Sequence, residues 1–180
     1  MAIHIDHGGW VSRSDCPGCM TTGSVNYPSA SEKAVKSIYI IGSLRNPTSV
    51  IEFANELQAL GFDAFADWVS PGPQADDYFK DYAKARGLTY KQALQTYAAK
   101  HIFEFDKAHL DRCDAAVLLM PAGKSACMEL GYVRGQEKPG YIVYESEPDD
   151  RYDLMFQFAS EIFFSKQEFF EYLKENQNGN

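Results

Sequence analysis

The sequence predicts an α/β domain, a doubly wound and mostly parallel five-stranded sheet with helices on both faces. Short apolar runs such as Ser37-Ile-Tyr-Ile-Ile-Gly42 and Ala115 to Met120 read as strands buried on both sides. Stretches with helical periodicity and capping residues stand between them. That alternation implies parallel strands joined by crossover helices.

Residues 1 to 36 are rich in Gly, Ser, Thr and Asp and show no periodic apolar pattern. They read as an irregular N-terminal extension, with the domain boundary near Lys36 and the α/β domain spanning residues 37 to 180. After the first strand, Ser49 with Glu52 has the spacing of a capping box. Apolar residues recur at Ile51, Ala54, Leu57 and Leu60, and Gly61 stands where a helix stops. Phe62 to Trp68 is the second strand. Beyond the loop Ser70-Pro-Gly-Pro73, a polar helix runs from about Asp76 to Arg86 and ends at Gly87; a longer one opens with Thr89 and Gln92 and runs towards Asp111. Ala115 to Met120 is the third strand, Pro121 to Ser125 a tight loop, Ala126 to Gln136 a helix, and Gly140 to Glu145 the fourth strand. A short helix at Asp153 to Ser160, an edge strand at Ile162 to Phe164 and a last helix boxed by Ser165 and Glu168 complete the set. The pattern fits a flavodoxin-like or Rossmann-like domain, whose ligands bind beyond the carboxyl ends of the strands.

With 180 residues, 45% of them hydrophobic, the chain is long enough for one cored domain. A net charge of −8 argues against nucleic-acid polymers, whose phosphates demand clustered Lys and Arg. The longest apolar run is far shorter than a membrane span, and the N-terminus carries Asp6 rather than an apolar signal region, so the expected location is cytoplasmic. Cys113 and Cys127 sit in helical or apolar contexts, which disfavours a disulfide framework. His4, His7, Cys16 and Cys19 form His-x2-His and Cys-Pro-Gly-Cys, the spacing of a zinc knuckle and equally that of an extension with incidental cysteines. No metal site is assigned and no cofactor is expected.

Three segments end on the carboxyl side of the predicted sheet: Gly42-Ser-Leu-Arg45, Asp67-Trp68, and the loop leading to Glu129. They are expected to share one crevice. Glu129 falls in the first turn of its predicted helix, where unpaired N–H groups favour an ionised carboxylate able to act as a nucleophile. Asp106, on the long helix before the third strand, supplies a second carboxyl group, and paired carboxyls suit glycosidic chemistry. Ser43, Arg45, Lys124 and Ser125 surround the crevice with donors for a phosphate or sugar. Plainer roles compete: Glu129 as a favourable first-turn cap, Tyr39 and Trp68 as core, Arg45 and Lys124 as solvated loop charges, Asp106 as a helix surface residue. Alternatively, Asp67 and Trp68 cover a nucleobase, since an aromatic face stacks on a planar ring. His101 and His109 are assigned no role.

Taken together, Tyr39-Ile-Ile-Gly-Ser-Leu-Arg45, Asp106-Lys-Ala-His-Leu-Asp-Arg-Cys-Asp114 and Met128-Glu-Leu-Gly-Tyr132 strongly resemble the nucleoside 2-deoxyribosyltransferase family over much of the chain. The resemblance implies that Glu129 attacks C1′ to form a covalent deoxyribosyl-enzyme, that Asp106 handles protonation of the base, and that Tyr39 positions the glutamate. Asp153-Leu-Met155 resembles an Asn-Leu-Met segment that members insert into a neighbouring subunit's site. It implies a homo-oligomer, dimer or larger, with sites completed across the interface, and Asp153 replaces the family's Asn. Gly123, six residues before Glu129, stands where the transferases carry an aspartate that reads sugar and base. A related branch hydrolyses nucleoside 5′-monophosphates, and its Gly-Ser-Ile-Arg loop is similar to Gly42 to Arg45, which implies that Ser43 and Arg45 hold a phosphate. The substrate is thus a small nucleoside or nucleotide, with a second base or water as acceptor. A non-catalytic nucleotide-sensing module is the reading from another class.

Overall fold

The computed structural model describes residues 3–6, 9–12, 35–149 and 152–177. Strands β1 (Ile3–Asp6) and β2 (Gly9–Ser12) pair antiparallel, with Ile5 opposite Trp10. This corrects the expectation of irregular chain there: Ile3-His-Ile-Asp6 alternates apolar and polar residues before a Gly-Gly pair, which is a hairpin signal. His4 lies in β1, whereas His7, Cys16 and Cys19 lie outside the described residues.

The main sheet is parallel throughout and comprises β3 (Ser37–Ile41), β4 (Asp63–Phe65), β5 (Ala115–Leu119), β6 (Gly140–Val143) and β7 (Glu161–Phe163), in the order β4-β3-β5-β6-β7. Counted along the sheet strands alone, this is the flavodoxin-like order. The helices are α1 (Pro47–Ala59), α2 (Ala75–Ala85), α3 (Tyr90–Ala93), α4 (Tyr97–Arg112), α5 (Lys124–Gly135) and α6 (Lys166–Gln177). Alternate strand residues feed two cores. Ile38, Ile40, Ala115, Val117, Tyr141 and Val143 pack with Val50, Phe53 and Leu57 of α1 and with Phe169, Phe170 and Leu173 of α6. Tyr39, Ile41, Ala116, Leu118 and Ile142 pack with Leu110 of α4 and with Ala126, Leu130 and Val133 of α5. Helices therefore cover both faces, and burial on both sides explains the uninterrupted apolar strands.

Several boundaries differ from the sequence prediction. The Ser49–Glu52 box does not cap α1; the helix starts at Pro47, whose fixed φ suits a first helical position, and the Ser49 hydroxyl donates to Asn46 Oδ1 at 2.9 Å. The second strand stops at Phe65, and Asp67–Val69 is a 3-10 turn. Trp68 Nε1–H donates to the Ile40 carbonyl at 2.7 Å, folding that turn over the end of β3. The long helix divides because Thr96 is extended at ψ 154° and caps α4 by accepting the Ala99 N–H. The short helix near Asp153 is a 3-10 turn, Leu154–Phe158, capped by Asp153 through the Met155 N–H. At α6, Ser165 accepts the Glu168 N–H as expected, while the Glu168 carboxylate reaches one residue further back, to the Phe164 N–H. Gly61 and Gly87 follow α1 and α2 with φ of 90° and 66°, which explains why the helices stop there.

Asp114 fastens the amino end of the sheet. Its Oδ2 accepts from the backbone N–H of Lys36, the N–H of Ser37 and the Ser37 hydroxyl, each at 3.0 Å, and the Asp114 N–H donates to Ser37 Oγ. β3 and β5 are thereby locked in register, leaving their carboxyl ends to form the switch point of the strand order.

Candidate active site

Tyr39 occupies the centre of β3, 1% exposed, with its ring in the core beneath α4 and α5. Burial, reinforced by the charges of Glu129 and Asp106, pushes its phenol far above the ordinary range. The hydroxyl thus stays protonated and is available as a donor.

Glu129 corrects the sequence prediction. Because α5 begins at Lys124, with Gly123 as its N-cap, Glu129 sits in the second turn, and no acidic residue lies in the first. The macrodipole fades beyond the first turn, so it does not hold this carboxyl ionised. Instead burial, with the charge of Asp106 second, pushes Glu129 up to about 7. Asp106 on α4 is half-buried; burial also raises its carboxyl, and nearby His109 opposes the shift. Tyr39, Asp106 and Glu129 therefore converge from β3, α4 and α5. Burial raises both carboxyls above the ordinary range, and Glu129 feels the charge of Asp106 as well.

The flank of this cluster is aromatic, and sequence reasoning missed it. His109 stacks on Phe65 of β4 with centroids 3.8 Å apart and an interplanar angle of 15°. Phe65 in turn contacts Tyr39 at 5.3 Å and Phe105 at 6.0 Å. The signal was present, since His109 follows Asp106 by three residues and so shares its helix face.

The remaining expected residues divide. Gly42, at the end of β3, underlies Trp68: a Cβ there would lie 3.6 Å from the Trp68 ring and 2.8 Å from Val50 Cγ2, so only glycine fits this approach without displacing Val50. Ser43 and Arg45 form a turn in which Ser43 Oγ accepts the Arg45 N–H at 3.2 Å and the Ser43 carbonyl accepts the Asn46 N–H at 2.9 Å. Arg45 is exposed and lies near Asp77 of α2. Asp67 is exposed in its 3-10 turn. Gly123, Lys124 and Ser125 are exposed at the start of α5, where no side chain caps the helix. Asp153 lies near Cys127 of α5 and so close to the helix that bears Glu129, while Met155 is 64% exposed. Among the described residues, no hydrogen bond or ion pair joins Ser43, Arg45, Asp67, Ser125 or Met155 to the Asp106–Glu129 pair.

A cavity of about 300 Å3 opens at the carboxyl edge of the sheet between Ser49, Phe53, Leu119, Val143, Tyr144 and Lys166. Phe53 and Val143 belong to the core beneath α1 and α6, so this cavity is on the opposite face of the sheet from Glu129. Among the described residues no group of three or more His, Cys, Asp or Glu is placed to hold a metal ion, and no helix is long and apolar enough to cross a membrane. No family model matches the chain, and no curated protein does.

Proposed function

We propose that the protein cleaves the N-glycosidic bond of 2′-deoxyribonucleosides through a covalent glycosyl-Glu129 intermediate and passes the sugar to a second base. The observation that carries this reading is the convergence of two carboxyl groups, Glu129 and Asp106, with the Tyr39 phenol in one half-buried site. A pair holding a single proton has one carboxylate for attack and one acid for departure. With substrate bound, the anomeric carbon favours the anion on Glu129 and the base nitrogen favours the proton on Asp106. A Glu129 oxygen then bonds to C1′ as the C1′–N bond breaks; the bonding pair leaves with the base, and the Asp106 proton goes to the base nitrogen. Tyr39 donates to and orients Glu129. In the second half a new base attacks C1′, Glu129 is released as carboxylate, and Asp106 recovers its proton.

A second reading, hydrolysis of nucleoside 5′-monophosphates, is favoured by two features. The start of α5 is uncapped and offers N–H groups beside Lys124 and Ser125, and Gly123 brings no acidic side chain to repel a phosphate. Ser43 and Arg45 are the matching donors on the loop after β3. In both readings the chain works as a homo-oligomer, because the exposed Leu154, Met155 and Phe158 form an apolar turn that a second copy would cover.

The test is incubation of the protein with deoxynucleosides and, separately, their 5′-monophosphates, each with and without a free second base, following released base by chromatography. Release that depends on added base identifies the transferase, and release from monophosphates without an acceptor identifies the hydrolase. Binding without release from any substrate would sink both in favour of a nucleotide-sensing module, and Glu129→Ala should abolish turnover.

A further inference from the structure

The cavity on the α1–α6 face of the sheet takes no part in the glycosidic chemistry, yet its lining has a definite chemical character. It lies beyond the carboxyl ends of β5 and β6, the edge at which parallel α/β sheets bind ligands. Phe53 of α1 and Val143 of β6, 2% and 1% exposed, form its floor together with Leu119. A volume of about 300 Å3 over an apolar base with a few polar groups at the rim suits a small molecule.

The charges on that rim do not cancel. Ser49 and Glu52 come from α1, Glu145 from the chain after β6, and Ser165 and Lys166 from the start of α6. Lys166 Nζ is taken by Glu56 at 2.5 Å, outside the lining. The start of α6 is satisfied within the chain, since Ser165 Oγ accepts the Glu168 N–H and the Glu168 carboxylate accepts the Phe164 N–H. At the start of α1, Pro47 has no N–H to offer. What remains is Glu52 and Glu145, whose carboxylates have no hydrogen-bond or ion-pair partner among the described residues. An anion would meet repulsion here, and a neutral apolar molecule would leave both charges unused. A cation finds a partner in each.

We propose that this cavity is a second binding site, for a small organic cation with an apolar body. The body lies on Phe53, Leu119 and Val143, and the ammonium or guanidinium group sits at the rim between Glu52 and Glu145. The Ser49 hydroxyl, whose proton goes to Asn46, leaves its oxygen as a further acceptor. The site is independent of the glycosidic reading, because Tyr39 and the helices that carry Asp106 and Glu129 belong to the other face of the sheet.

The test presents the full chain with three probes of one shape: 2-phenylethylammonium, neutral 2-phenylethanol and anionic 3-phenylpropionate. Binding is followed by calorimetry and by amide NMR shifts at neutral pH and low salt. The ammonium should bind about tenfold more tightly than the alcohol, the gain from two exposed ion pairs, and the carboxylate should bind weakest. Glu52→Gln and Glu145→Gln should each weaken the ammonium about threefold, and the double variant about tenfold, with the alcohol unchanged. Added salt should act in the same direction. Both exchanges are at exposed positions and nearly isosteric, so the variants keep the fold. The amides that shift should be those around Phe53, Leu119, Val143 and Lys166, and not those around Asp106. Equal affinity for the ammonium and the alcohol, or an affinity unmoved in the double variant, would overturn the proposal. So would shifts confined to other parts of the chain, or no binding of any probe.

Discussion

Asp106 on α4 bears on Glu129 on α5 across the seam between the two helices: burial, with the charge of Asp106 second, pushes the Glu129 carboxyl up to about 7, and burial raises Asp106 as well. One proton on the two carboxyls is the ionisation state the proposed chemistry needs. kcat/KM should therefore be bell-shaped, with an alkaline limb near pH 7 and an optimum on the acid side of it. In Asp106→Asn the acid is gone and only an ionised Glu129 is required. The residual rate should then rise with pH instead of falling, after a loss of about a hundredfold or more. Parallel profiles for the native protein and this variant would contradict the shared proton.

The raised Glu129 also has a consequence for stability. Its folded value lies above the ordinary carboxylate range, so the folded chain holds a proton that the unfolded chain has released. The sign follows: stability is full below about pH 4.5, the ordinary glutamate value, and is lost as pH rises through about 7. Glu129→Gln has no charge to bury. It should be inactive yet more stable than the native protein at pH 8, by about 2 kcal/mol once partial exposure is allowed for, with the gap closing towards pH 5. Denaturant unfolding of both proteins at the two pH values measures this, and a gap independent of pH would rule out the buried charge as its cause.

The fold was legible because its signals are local. The central strands β3, β5 and β6 are apolar runs in the sequence, and the two glycines with positive φ after α1 and α2 mark where those helices stop. What was illegible depends on residues far apart in the chain. The turn at Trp68 follows from an indole reaching the Ile40 carbonyl, a bond between residues 28 apart. The state of Glu129 was misread because a helix start two residues earlier moved it out of the first turn, and because burial and Asp106 are properties of the packed fold. His109 went unassigned because its partner Phe65 sits on another strand.

Asp114 offers a structural control away from the crevice. Its carboxylate accepts the Lys36 and Ser37 N–H groups and the Ser37 hydroxyl at the amino end of the sheet. Hydrogen bonds to a charged acceptor contribute about 1.5–3 kcal/mol each, less where solvent competes. Asp114→Ala should cost about 2–4 kcal/mol and lower Tm without changing the pH at which the alkaline limb falls. A displaced limb in a folded variant would mean that β3 and β5 transmit register changes to Tyr39.

The apolar turn after β6 makes the assembly testable. Leu154, Met155 and Phe158 are 61%, 64% and 61% exposed, and Met128 on α5 is 76% exposed. Asp153, which caps this turn, lies near Cys127, so the turn borders the helix that carries Glu129. Burying one such side chain contributes about 1.5–3 kcal/mol, and a two-fold interface counts it twice. Met155→Glu removes that gain and adds a charge that must be desolvated. It should weaken self-association by about a hundredfold or more and lower kcat/KM in proportion to the monomer formed. Sedimentation equilibrium over a concentration series, with activity read on the same samples, decides the matter. A native protein that remains monomeric at every concentration and is fully active would show that each site is complete within one chain.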